Sequence, residues 1–144
     1  MDDDRVLVMV SAAQLATGAG GLALAVRRRH AFDLPFWHGQ ESAVGRDALL
    51  MGTALSAPAV MLGAQAGAIT ALLRGPSPAA RRLLGGLGAA MVAGYLAERL
   101  VRHRLAPSGW DTAESPVIVA GIGLAAAMAL IGLRPARQIG GQPR

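Results

Sequence analysis

The sequence predicts an all-α polytopic membrane protein: a four-helix transmembrane bundle with Gly/Ala-rich helix contacts, forming one domain over residues 1–144. Three observations predict it. Hydrophobic residues make up 53% of the 144 and charged residues only 16%. Aromatics are 3%, so the apolar mass is Ala, Leu, Val and Gly, unlike a soluble core that uses aromatic bulk. The charges fall between long apolar runs, and basic residues bracketing such runs are the usual flank of a membrane span.

The first run, Val6 to Val26, holds 21 residues without a charge, enough for a helix that needs about 20 to cross a bilayer. "ALA" at 23–25 is similar to a signal-peptidase site. The start "MDDDR" is net negative, however, and the run exceeds the roughly 7–15 residues of a signal peptide, so an uncleaved helix over 6–26 is expected. The second run, Ala48 to Leu73, supplies 26 residues, with Pro58 expected to kink it. The third, Leu83 to Ala97, has only 15, so the expected span extends to Val101 and draws Glu98 and Arg99 into the interface. The fourth span is read over 116–133, with Ser115 as N-cap and Pro116 at the first helical position.

The connections differ in kind. "RGPSPAARR" between spans two and three is a tight turn, which makes those helices antiparallel neighbours. The longest polar stretch lies between spans one and two. Its "FDLPFWHGQ" suits the headgroup layer, and Ser42 is a candidate early N-cap for span two. Four spans put both termini on one side. Arg5, Arg74, Arg81, Arg82, Arg134, Arg137 and Arg144 then face Arg27, Arg28, Arg29, Arg46, Arg99, Arg102 and Arg104. This even split leaves the orientation open under the positive-inside rule, although the cluster after span one favours a cytoplasmic 1–2 connection.

Helix association in lipid depends on small residues that let backbones approach. Thr17 and Gly21, Gly63 and Gly67, the row Gly86–Ala90–Gly94, and Gly121–Ala125–Ala129 supply them on all four spans. Continued by one step, the third row reaches Glu98 and then Arg102, a favourable i,i+4 pair.

Several chemistries are excluded. There is no cysteine, and all fourteen basic side chains are arginine, so thiolate, Schiff-base and Walker A chemistry are absent. The net charge of +5 does not form one basic patch, and no nucleic-acid partner is expected. "VIVAGIGLAA" matches G-x-G-x-x-A, but no acidic residue follows Glu114, so it reads as a packing face. His38 and Glu41 have H-x-x-E spacing, and with His103 they form the one candidate metal set; solvated interfacial side chains are the expected reading. No catalytic, cofactor or metal residue is assigned.

The candidate polar cluster is Glu98, Arg102 and Tyr95 at the end of span three, with Arg46, Asp47, His38 and Glu41 at the same membrane edge. Gln14 and Gln65 are the in-span amides, expected to bond between helices. The leading expectation is a non-catalytic scaffold or complex subunit, with the lipid bilayer and a homo-oligomer or other membrane subunit as partners. Arginine without lysine in an Ala-, Gly- and Pro-rich chain suggests a GC-rich coding sequence, hence a bacterial inner membrane. The alternatives are a small proton-coupled transporter using Glu98, and a membrane-surface enzyme using His38 and Glu41.

Overall fold

The computed structural model describes residues 3–28, 33–34, 37–38 and 55–135. Helices dominate them. α1 spans Asp3–Arg28, α2 Ala59–Arg74, α3 Pro78–Ala97, α4 Arg99–Leu105 and α5 Glu114–Gly132. β1 (Asp33–Leu34) and β2 (Trp37–His38) form a two-residue antiparallel ladder beside α4.

α1 packs against α2 and α5, and α3 packs against the same two, so the long helices form a ring in the order α1–α2–α3–α5. Their directions alternate. Gln65 of α2 bonds to Ser11 and Gln14 of α1, while Leu62 lies over Gly18. Gly88 of α3 faces Ala125 and Ala129 of α5, and Tyr95 faces Gly121. Fully buried Leu7, Leu84, Ile118 and Met128 fill the interior.

By length and composition α1 and α5 can each cross a membrane, and the bent pair α3–α4 makes a third if taken as one span. α2 has 16 residues and spans about 24 Å, below the ~30 Å of a hydrocarbon core. The expected second span begins at Ala48, and residues 48–54 lie outside the described ones. Pro58 does not kink a helix. It is the N-cap of α2, where its missing N–H is harmless and its carbonyl accepts from Met61 and Leu62 at 2.9 and 3.2 Å.

The third span is corrected at both ends. α3 starts at Pro78, not Leu83, and ends at Ala97, with α4 bent 78° away from it. Its start follows the predicted turn: Ser77 Oγ accepts from the Ala80 N–H at 3.3 Å with Pro78 behind it. In that turn Gly75 has φ +156°, open to glycine and rarely to other residues.

The small-residue contacts are corrected in part. Gly21, Gly121 and Ala125 are buried as expected, whereas Gly63, Gly67, Gly86, Ala90 and Gly94 are exposed. Their neighbours do the packing on α3. A Cβ on Gly85 would lie 2.8 Å from the Gly132 carbonyl carbon, and one on Gly88 would lie 2.5 Å from the Ala125 oxygen.

Candidate functional site

The strongest polar constellation joins the C-terminal end of α1, helix α4 and the start of α5. It begins with a cap. Asp111 Oδ1 accepts from the N–H groups of Ala113 and Glu114 at 2.9 and 2.8 Å. Ser115 Oγ in return accepts from the Asp111 N–H at 3.0 Å and donates to the Arg104 carbonyl at 3.0 Å. Such reciprocal bonds satisfy donors that a helix start leaves free. They correct the reading of Ser115 as N-cap, since Asp111 caps and Ser115 already sits in the first turn.

The cap fixes Glu114, which is fully buried. One carboxylate oxygen meets Arg28 Nη1 at 2.6 Å and the other meets Arg104 Nε at 2.7 Å. Arg28 also pairs with Asp111 at 3.2 Å, and Arg104 Nη1 donates to the Gly109 carbonyl at 3.2 Å. Both carboxylate oxygens are thus engaged by guanidinium groups in charge-assisted hydrogen bonds. Glu114 thereby ties α1, α4 and α5 together.

The Asp111 carboxyl is held low, at about 2, first by the Glu114 N–H and then by the Ala113 N–H, with burial opposing and Arg28 assisting. Its ordinary value is 3.8, so the cap's contribution to stability is complete above that pH and is lost as pH falls through about 2. The Asp111 carboxyl carbon resonance, followed by NMR in micelles, is expected to titrate near pH 2. A midpoint near 3.8 would show that the cap does not form.

Of the expected cluster, Glu98 is buried in the break between α3 and α4, not one turn inside a continuous helix. The i,i+4 row to Arg102 is therefore interrupted. Arg102 Nη1 donates instead to the Leu96 and Ala97 carbonyls, both at 3.0 Å, where α3 ends. Tyr95 is buried against α5, and a Cβ on Gly121 would lie 2.9 Å from its hydroxyl. Glu41, Arg46, Asp47 and the candidate cap Ser42 lie outside the described residues, as does the side chain of His38, whose backbone pairs with Asp33. Among the described residues no His, Cys, Asp and Glu group has metal-site geometry.

Gln14 and Gln65 do meet. Gln65 Nε2 donates to Gln14 Oε1 at 2.9 Å and to the Ser11 carbonyl at 2.7 Å, all fully buried between α1 and α2. At the opposite end of the bundle Arg81 bonds Asp4 Oδ1 at 2.6 Å and the Ile131 carbonyl at 2.7 Å, joining α3 to α1 and α5.

Sequence reasoning passes over Glu114, Asp111, Arg28 and Arg104. The available signal is "DTAES": an acid three residues before a second acid, directly ahead of an apolar run, marks a capped helix start. No protein-family model matches this chain, and no curated protein or solved structure is significantly similar to it.

Proposed function

We propose that the chain is a multi-pass integral membrane protein, a four-helix transmembrane bundle without chemistry of its own, which serves as a scaffold or subunit of a larger membrane assembly. In this reading α2 is one of the four crossings, and the lysine-free composition points to a bacterial inner membrane. One observation carries the assembly role. On α3, Gly85 and Gly88 pack inward on α5, while Gly86, Ala90 and Gly94 form a second small-residue row that faces away from the bundle. In lipid such a row lets another helix approach closely.

The test is a photo-crosslinking amino acid at Ala90, compared with one at Val119, which is also exposed but lies on α5. In native membranes position 90 is expected to give a discrete adduct, to a second copy or to another subunit. Equal, diffuse labelling from both positions would overturn the scaffold reading.

A specific feature supports a second reading. Helices broken at membrane depth, with a polar residue in the break, are a mark of transporters. Glu98 is buried in the break that ends α3, where α4 turns away by 78°. If the chain carries protons with a solute through Glu98, Glu98→Gln abolishes proton flux in vesicles while the bundle stays folded. Unchanged flux in that variant excludes the transporter.

A further inference from the structure

We propose that Ser11, Gln14 and Gln65 form a binding site for one water molecule in the interior of the bundle, between α1 and α2 at mid-length. The inference is independent of what packs on the outer face. It starts from the orientation of the two amides, which the Ser11 carbonyl fixes. That carbonyl accepts at 2.7 Å from the Gln65 side chain, so the nearby atom must be the Gln65 nitrogen. The same nitrogen reaches the Gln14 side chain at 2.9 Å, so the atom there must be the Gln14 oxygen. Turning either amide over would set acceptor against acceptor or donor against donor.

With both amides fixed, three polar atoms have no hydrogen-bond partner: Ser11 Oγ, Gln14 Nε2 and Gln65 Oε1. All three residues are fully buried. A buried polar group without a partner is costly, more so within lipid. Their chemistry selects the ligand. Gln14 Nε2 only donates, Gln65 Oε1 only accepts, and the Ser11 hydroxyl does either. An anion would face the bare Gln65 oxygen, and a cation the Gln14 amide hydrogens. A small neutral molecule that both donates and accepts matches the chemistry of all three, and a buried water typically makes about three such bonds. The water would link α1 to α2 beside the direct Gln65–Gln14 bond.

The experiment is water-edited solid-state NMR on the isotope-labelled full chain in lipid bilayers. Magnetisation is expected to pass from water to the Gln14 side-chain amide faster than to the backbone amides of Ile118, buried in the same bundle, and Ala13, exposed on the outside of α1. Transfer to Gln14 no faster than to Ile118 would overturn the site. Equal transfer to Ala13 would also overturn it, since the water would then come from the lipid side. Ser11→Ala, a small change that leaves the Ser11 carbonyl in place, is expected to slow transfer to Gln14. Unchanged transfer in that variant would overturn the three-partner site.

Discussion

Replacing Glu114 with alanine is expected to destabilise the bundle by about 2–3 kcal/mol, below most of the roughly 3–5 kcal/mol range for a fully buried ion pair because the Arg28 and Arg104 side chains are 38% and 22% exposed. The magnitude follows from what remains. Arg28 and Arg104 would keep their charges beside a buried position where a carboxylate had met each at 2.6 and 2.7 Å. Arg28 retains Asp111, at 3.2 Å, so the loss falls mainly on Arg104, whose side chain is only 22% exposed. Reversible unfolding in mixed detergent micelles, followed by circular dichroism, measures the effect. A double variant, Glu114→Leu with Arg104→Leu, is expected to lose less than the sum of the two single changes, because neither charge is then left alone. A loss below about 1 kcal/mol for Glu114→Ala would show that the carboxylate does not hold the three helices.

The second large effect belongs to Gly88→Val. Its Cβ would fall 2.5 Å from the Ala125 oxygen and 2.7 Å from the Ala129 nitrogen. Both are backbone atoms of α5 that cannot rotate aside, so α3 and α5 must separate. Overpacking typically costs about 1–3 kcal/mol, and a clash with backbone belongs at or above the upper end. Gly86→Val is the matched control, because a Cβ there meets nothing within 4 Å. Its effect on unfolding is expected to stay within about 0.5 kcal/mol. If Gly86→Val also weakens the crosslink from Ala90, folding and assembly separate onto two faces of one helix. Equal losses from both glycine variants would contradict the inward assignment of Gly88.

Part of this fold is legible in the sequence for simple reasons. α1 encloses the charge-free run 6–26 and α5 covers 116–132 of the last one, and the α2–α3 turn is marked by Gly75, Ser77 and Pro78. α3 is misplaced by any reading that treats charge as the limit of a span. The run needs more residues, and extension past Glu98 is the nearest source. The helix in fact lengthens at its other end, through Arg81, whose charge is met by Asp4 and Asp3 on α1. Those partners are more than seventy positions away in the chain and invisible to a local reading.

The same limit hides the polar site. An acid at the start of a helix is ordinarily a solvated cap, and only Arg28, 86 residues earlier, and Arg104 make Glu114 a buried anchor. The small-residue rows mislead in a different way. α3 is small on several sides at once, and spacing cannot tell which glycines face inward. Gln14 and Gln65 are legible because an amide inside an apolar span has few options besides another helix.

The polar fastenings of the ring are unevenly shared. Among the described residues, ion pairs join α1, α3, α4 and α5 at the two ends of the bundle, and none reaches α2. Its side-chain hold on another helix is the Gln65 amide, supported by the burial of Leu62, Ile69 and Leu72. Pulled mechanically from a bilayer, or challenged by a competing helix, α2 should therefore detach first and leave a three-helix remnant fastened at both rims.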